Sequence, residues 1–209
     1  LARRVVGRRA ARLPRAQAPN GESPLGRVIA DAQLAATAAE FGAQVALMNP
    51  GGIRADLGVR STGNPADDLQ VRYEDLFAVQ PFYNNLVTMT LTGAQLVQVL
   101  EQQWVNQPTA AGRVLSVSRG FTYGWDASKP PGQRIVPGSV KLNGSPVAPE
   151  ATLRVTVNSF LAGGGDNITV LRQGRERRTG MMDVDAFERH LRGTPNVAPG
   201  ALDRIVRMN

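Results

Sequence analysis

The apolar positions near the start of the chain follow a helical pattern and then a strand pattern. In residues 24–41 the apolar side chains recur every three to four positions, at Leu25, Val28, Ile29, Ala32, Ala35 and Ala36, which predicts an amphipathic helix. Ser23 and Pro24 are favourable residues for a helix start, and Gly42 is a favourable end. The apolar run within residues 43–48 then predicts a buried strand.

The rest of the chain alternates between the same two patterns. Residues 58–70 are rich in Gly, Ser, Asn, Pro and Asp, which is typical of an exposed loop. The predicted helices are a short turn at 73–77, a helix from the capping box at Thr92 to about Trp104, and a helix at 183–192. The predicted strands are 86–91, 113–118, 121–125, 139–142, 151–158 and 203–208, with an Asn143-Gly144 hairpin turn. This mixture predicts an α+β fold of mixed β-sheets with flanking helices in layers.

Composition bounds the class of protein. The 209 residues are enough for a sizeable core, and no apolar run reaches the ~18–20 residues of a membrane helix. With no cysteine, the chain has neither disulfides nor thiol chemistry. Because the first residue is Leu rather than Met, we expect a fragment or a processed product.

The net charge of +7 is concentrated at the start of the chain. Residues 1–21 contain six arginines and no acid, and they alternate Arg with Ala and Val up to Leu13-Pro14, which predicts a short helix. One interpretation is a basic module that binds nucleic acid. Because the arginines lack interleaved aromatic residues and the remaining chain is nearly neutral, a solvated linker helix is the favoured alternative.

Few residues are suited to catalysis. His190 is the only histidine and lies in a charged helical stretch, so neither a Ser-His-Asp triad nor a zinc site is indicated. The acidic pairs at 67–68 and at 183 and 185 are explained by turns and helix starts. No phosphate-binding glycine motif is present.

Three loops at strand ends are better suited to binding. Residues 49–54 combine Asn, two glycines and Arg; residues 81–84 combine Phe82 with Asn84; residues 158–166 combine Phe160 with a glycine run and Asp166. Two aromatic rings can stack on a flat base at ~1–3 kcal/mol per base, and an Asp can hold ribose hydroxyls. Each Phe alone is explained by core packing, but packing does not explain all three loops together.

The ordered set of motifs resembles the C-terminal domain of the 5′-nucleotidase family of bacterial bifunctional metallophosphatases. The motifs are Asn-x-Gly-Gly-Ile-Arg, Pro-Phe-x-Asn, Leu-Thr-Gly-x-x-Leu and Asn-x-Phe-x-x-x-Gly-Gly-Asp, and the resemblance covers about residues 20–175. It implies a periplasmic, secreted or cell-wall hydrolase of two domains. In that family an N-terminal metallophosphatase domain holds two divalent metal ions, and the C-terminal domain binds the nucleotide.

The resemblance also implies roles for seven residues. Phe82 and Phe160 would stack on the two faces of the base, Asn84 would contact the base, and Asp166 would hold the ribose. Asn49 and Arg54 would contact the nucleoside and its phosphate side, and Gly112 matches a glycine whose backbone approaches the base. Residues 1–19 would be an interdomain linker helix and loop, and residues 20–209 the substrate-binding domain, with no catalytic residue, metal or other cofactor of its own.

Three features depart from the family pattern, and one of them is the loop at 58–70, which is longer than the motif needs. Pro50 stiffens the first loop, and the further arginines that some members place before the first helix are replaced here by residues 19–22, with Arg15 the nearest candidate. Two alternatives to a nucleotide-binding domain therefore stay open: the basic nucleic-acid module and a non-catalytic scaffold whose pocket no longer binds.

Overall fold

The computed structural model describes all 209 residues as an α+β domain. Its strands are β1 Val5–Arg8, β2 Val45–Met48, β3 Gln70–Arg72, β4 Asn85–Thr92, β5 Ser116–Val117, β6 Phe121–Asp126, β7 Lys141–Leu142, β8 Ser145–Pro146, β9 Thr152–Asn158, β10 Arg175–Met182 and β11 Ile205–Met208. Its helices are α1 Pro24–Phe41, α2 Pro65–Asp68, α3 Tyr73–Val79, α4 Gly93–Glu101, α5 Ser159–Ala162 and α6 Asp183–Gly193.

The strands form three sheets, of which the two larger are of mixed direction and the third is an antiparallel pair. The largest has the order β10-β4-β9-β2-β5, in which β2 and β9 are parallel and the other neighbours are antiparallel. A second sheet has the order β11-β6-β7-β8, and β1 pairs with β3. Mixed sheets with flanking helices confirm the predicted fold class.

Two apolar cores hold the layers together. The larger joins the five-stranded and four-stranded sheets to α4, and it includes Leu47, Val155, Phe121 and Trp104. The smaller joins α1, α3 and α6 to β1 around Ile29, Leu76 and Phe187. The central strands β2, β4 and β9 are therefore largely covered on both faces, while the edge strand β10 and the strand ends are accessible.

Both predicted ends of α1 and the predicted start of α4 are confirmed, whereas α4 ends at Glu101 rather than at about Trp104. The Ser23 hydroxyl accepts from the Gly26 N–H, and Gly42 closes α1 in the left-handed region at φ 71°. At α4, Thr92 Oγ1 accepts from the Gln95 N–H while Gln95 Oε1 accepts from the Thr92 N–H, which is the predicted capping box. The Asn143-Gly144 turn joins β7 to β8 with both residues at positive φ, as predicted.

The helix predicted over residues 1–13 is wrong. Val5–Arg8 is a strand paired with β3, and Val6 and Leu13 are buried in the smaller core. Val6 is buried whereas Val5 and Arg8 are exposed, and pairing with β3, which the local sequence does not show, decides in favour of a strand. Arg4 pairs with Glu188, so this segment is bound to the domain rather than solvated.

Other differences concern strand length. The predicted strand at 113–118 shortens to two residues, and the eight-residue edge strand β10 was not predicted from its run of arginines. Residues 58–70 contain only the single turn of α2 and the start of β3. None of the helices has both the length and the apolar composition needed to cross a membrane.

Candidate functional site

A cavity of about 480 Å³ lies at one edge of the five-stranded sheet. The parallel strands β2 and β9 both end there, β4 begins there and β10 ends there, since Asn85 pairs with Met182 and Leu86 with Asn158. The lining residues are Asn49, Gly51, Gly52, Arg54, Phe82, Asn84, Arg113, Asn158, Phe160 and Asp166. Six of the seven predicted site residues thus line one cavity.

The aromatic side chains of the cavity are exposed. Phe82 is 53% and Phe160 49% exposed, although both are large apolar residues that normally pack inside. A Cβ on Gly165 would lie 2.6 Å from the Phe160 ring, so this glycine leaves room for the ring. The Arg54 guanidinium lies 6.0 Å from the Phe82 ring centroid. Two open rings in one cavity provide apolar surface for a flat ligand.

A chain of hydrogen bonds crosses the floor of the cavity. Asn158 Nδ2 donates to Asn49 Oδ1 at 2.9 Å, and Asn49 Nδ2 donates to Asp166 Oδ2 at 3.1 Å. Asn158 Oδ1 also accepts from the Leu161 N–H, which caps α5 and orients the amide. Because Asn49 and Asn158 are buried, these bonds fix their side chains. The Asp166 carboxylate is consequently held in one orientation at the cavity wall.

Arg113 is a cavity residue that sequence reasoning missed. Its Nη1 lies 3.6 Å from Asp166 Oδ1 and donates to Gln107 Oε1 at 3.1 Å, while Gln107 Nε2 donates to the Asp166 carbonyl at 2.7 Å. Asp166 has a positive φ of 58°, a conformation that non-glycine residues adopt rarely and that these contacts support. Arg113 directly follows Gly112, which the family resemblance assigned to the site. That assignment was the only sequence feature that pointed to this part of the chain.

Gly112 itself does not line the cavity. It has φ 70°, and a Cβ there would collide with the Gln103 carbonyl oxygen and the Trp104 ring. Glycine is therefore required at this position by backbone conformation and packing. The structure assigns the neighbouring Arg113, rather than Gly112, to the cavity wall.

Asn84 lies where β4 begins. Its Oδ1 accepts a hydrogen bond from Ser159 Oγ at 3.1 Å, and its backbone carbonyl accepts from the Asp183 N–H at 2.8 Å. The side chain of Asp183 is buried behind it. Burial raises the pKa of Asp183 to about 6, while the Val184 N–H, which donates to Oδ1 of the carboxylate at 2.8 Å, opposes the rise.

Arginines at the cavity mouth differ in their freedom. Arg54 lines the cavity and is exposed, and its one hydrogen bond is a long one of 3.4 Å from Nη1 to the Gly51 carbonyl. Arg15, the nearest candidate for the additional arginines, donates to the Ile53 carbonyl at 3.2 Å and does not line the cavity. Arg54 therefore provides the exposed positive charge at this mouth.

The cavity offers aromatic, amide, carboxylate and guanidinium side chains. No three His, Cys, Asp or Glu side chains of the chain are grouped so that they could hold a metal ion. His190 lies on α6 in a separate small cavity lined by alanines, and burial lowers its pKa. The arrangement can stack a flat ring, accept hydrogen bonds from hydroxyls at Asp166 and attract an anion at Arg54.

Comparison with known proteins agrees with this geometry. The family described as "5'-nucleotidase, C-terminal domain" matches residues 5–173. The trifunctional nucleotide phosphoesterase YfkN of Bacillus subtilis is 32% identical over 189 residues, covering 88% of this chain and 12% of YfkN. The snake venom 5′-nucleotidase of Gloydius brevicauda is 28% identical, covering 77% of this chain and 27% of the venom protein.

A solved structure has the same fold over nearly the whole chain. The 5′-nucleotidase precursor from Thermus thermophilus aligns with a TM-score of 0.81 and 33% identity, covering 99% of this chain and 40% of that protein. The chain thus spans well under half the length of each of these relatives. It belongs to the 5′-nucleotidase C-terminal domain family.

Proposed function

We propose that this domain binds the nucleoside part of a nucleotide and presents its phosphate to a separate dimetal phosphoesterase domain. The observation that carries the proposal is the pair of exposed phenylalanines in the same cavity as the ordered Asp166 carboxylate. The base stacks between Phe82 and Phe160, and Asn84 contacts the base edge. Asp166 accepts hydrogen bonds from the ribose hydroxyls, and Asn49 and Arg54 contact the nucleoside and its phosphate side.

Bond cleavage is assigned to the remainder of a longer protein. The chain corresponds to 40% of the Thermus thermophilus 5′-nucleotidase precursor and offers no grouped metal ligands. Residues 1–19, which pack on this domain through β1, lead from the preceding metallophosphatase domain, which binds the two divalent metal ions. This domain supplies substrate selection, and the attached domain supplies the metal-assisted hydrolysis.

The nucleic-acid alternative is weakened by the fate of the N-terminal arginines. Arg4 pairs with Glu188, Arg12 pairs with Asp56 at 2.7 Å, and the Arg9 side chain is buried against the Asp68 carbonyl. Charges that are paired within the protein contribute less to phosphate contacts.

A location outside the cytoplasm is part of this proposal. It is supported by two relatives, one named as a snake venom protein and the other as a precursor.

Calorimetry with adenosine and AMP tests the binding proposal. We expect Phe82→Ala and Phe160→Ala each to weaken adenosine binding about 5- to 150-fold, corresponding to ~1–3 kcal/mol of base stacking. Phe77→Ala is the matched control, because Phe77 is a partly exposed phenylalanine outside the cavity that contacts Tyr83. Equal affinity in the wild type and both cavity variants would contradict the stacking arrangement. A melting temperature unchanged by saturating adenosine would indicate the scaffold alternative.

A further inference from the structure

The loop at 110–114 borders a second cavity, of about 470 Å³. Arg113 of this loop lines the sheet-edge cavity described above, whereas Ala111 and Val114 line the second one. The two cavities have no lining residue in common. A ligand in the second cavity would therefore contact none of the groups proposed to bind the nucleoside.

Hydrogen bonds within the protein hold the walls of the second cavity together. Gln17 Nε2 donates to the Val114 carbonyl at 2.9 Å, and Trp125 Nε1 donates to the Asn20 carbonyl at 3.0 Å. The Trp125 ring also packs against Trp104, with 4.7 Å between the ring centroids. Because these contacts form without a ligand, the cavity is already shaped, which lowers the ordering cost of binding.

Two arginines of the second cavity lie against the same aromatic ring. The guanidinium carbons of Arg134 and Arg207 lie 6.0 and 5.3 Å from the Trp125 ring centroid. Arg134 Nε donates to the Lys129 carbonyl at 2.9 Å, and Arg207 Nη1 donates to the Pro19 carbonyl at 3.2 Å. These are the only hydrogen bonds of the two guanidinium groups, so most of their N–H donors are available to a ligand.

No carboxylate neutralises these two arginines. No acidic residue lines the second cavity, and every ion pair of the chain involves other arginines. The Glu101 carboxylate accepts from the backbone N–H of Arg134 rather than from its guanidinium group, and the Asp126 carboxylate accepts from the N–H and Oγ of Ser128. Stacking on Trp125 explains the position of each arginine alone. It does not offset the repulsion between two like charges, which an anion would offset.

We propose that the second cavity binds a small phosphate monoester that carries an apolar body. Arg134 and Arg207 hold the phosphate group, and the apolar body packs on Trp125 and on the alanines of the wall. A phosphate monoester is the class whose charge matches, since it carries about −1.5 to −2 at pH ~7 and meets two guanidinium groups. The volume is within the ~300–1,000 Å³ of small-molecule sites. This inference does not depend on the nucleoside-binding function.

Tryptophan fluorescence with phenyl phosphate as the probe tests the proposal. The chain has two tryptophans, Trp104 and Trp125, which contact each other at this cavity, so the signal reports on this part of the molecule. We expect phenyl phosphate to change the fluorescence saturably. Benzoate, with a single negative charge, should bind more weakly, and neutral benzyl alcohol should cause no saturable change at the same concentration.

Arginine variants show whether the phosphate group is held as proposed. We expect Arg134→Met and Arg207→Met each to weaken phenyl phosphate binding about tenfold or more, through loss of a charge-assisted hydrogen bond. Arg207 is exposed, so Arg207→Met leaves the core intact. Lys129→Met is the matched control, because it removes one positive charge nearby from a residue that does not line the cavity, and it should keep wild-type affinity.

A further variant separates the two cavities. Phe160→Ala should leave phenyl phosphate binding unchanged, because Phe160 lines the sheet-edge cavity alone. Loss of phenyl phosphate binding in Phe160→Ala would place the probe in the sheet-edge cavity and overturn the proposal. Equal affinity in the wild type and both arginine variants would also overturn it, as would an equal loss in Lys129→Met. Adenosine binding that is absent in every protein, with phenyl phosphate binding as expected, would refute the nucleoside proposal alone.

Discussion

At the scale of single residues, three contacts fix the position of the Asp166 carboxylate in the cavity wall. Asn49 donates to one of its oxygens, Arg113 lies beside the other, and Gln107 holds its carbonyl. These contacts support a left-handed backbone at Asp166 that would otherwise be strained. In the proposed complex, a ribose hydroxyl would meet an acceptor whose position is already fixed, which would lower the ordering cost of binding.

A nucleoside that lacks a ribose hydroxyl tests this arrangement. We expect wild-type protein to bind 2′- or 3′-deoxyadenosine about tenfold more weakly than adenosine, because a charge-assisted hydrogen bond is lost. In Asp166→Asn and in Arg113→Met this difference should shrink together. Calorimetry with all three ligands gives the comparison, and Arg113→Lys should retain most of the preference. A full hydroxyl preference in Arg113→Met would show that Arg113 does not position Asp166.

The buried carboxyl group of Asp183 affects the free energy of unfolding, and the direction of the effect follows from its raised pKa. The folded state holds this proton up to about pH 6, whereas the unfolded chain releases it near 3.8. The folded state thus loses stability as pH rises from about 4 to 6, and the loss persists at higher pH. We expect Asp183→Asn to be more stable than wild type by about 1–2 kcal/mol at pH 7.5, after a small loss of favourable charge at the α6 N-terminus.

Urea unfolding at two pH values measures the effect. The advantage of Asp183→Asn should shrink as the pH falls from about 6 and should be lost below 3.8, where the wild-type carboxyl group is protonated in the unfolded state as well as in the folded one. Asp185→Asn is the control, since this neighbouring carboxyl group on the same helical turn is only half-buried. A stability difference that is the same at both pH values would mean that ionisation of Asp183 is not its cause.

At the scale of elements, the sequence predicted best where local chemistry decides the outcome. Caps at Ser23, Gly42 and Thr92 act within four residues, so α1 and α4 could be located from the sequence. The strand β1 depends on pairing with β3, more than sixty residues away, and local alternation of Arg and Val did not reveal that partner. The exposed edge strand β10 could not be predicted either, because its arginines bury no regular apolar face that would indicate a strand.

The site shows the same division. The three loops were recognised because Asn, Gly, Phe and Asp occur together at strand ends, while Arg113 and Asn158 were not assigned to the cavity. Arg113 precedes β5, and only the pairing of β5 with β2 brings it to the sheet edge. A residue that reaches a site through long-range pairing leaves little local signal.

The N-terminal segment should contribute to stability as an integral element. Leu13 is fully buried in the smaller core beside Leu57, and its backbone exchanges hydrogen bonds with the Leu57 backbone. We expect Leu13→Ala to lower the free energy of unfolding by about 2–5 kcal/mol through lost burial and a residual cavity. Leu1→Ala should leave it unchanged, because Leu1 is fully exposed. Denaturant unfolding of both variants measures the difference. Equal stability of Leu13→Ala and Leu1→Ala would mean that residues 1–13 are a detachable linker.

At the scale of the whole molecule, one sheet edge collects every cavity element. Strands β2 and β9 end there in parallel, and antiparallel β4 and β10 return to it. The two apolar cores pack the strands behind this edge, while the loops beyond the strand ends carry most of the residues that line the cavity. A binding surface built in this way can face a second domain without contributing to its chemistry.

The isolated chain should therefore bind AMP without hydrolysing it. We expect phosphate release from AMP with added Mg²⁺ or Mn²⁺ to remain at the level of a protein-free blank, because the chain offers no grouped metal ligands to activate water. The intact 5′-nucleotidase precursor of Thermus thermophilus, which this chain matches over 40% of its length, is the positive control. Turnover that purifies with the chain and is lost in Phe160→Ala would overturn the proposal that this domain binds the nucleotide while another domain hydrolyses it. Turnover unaffected by that substitution would point to a contaminating phosphatase, since the substitution lies within the proposed binding cavity.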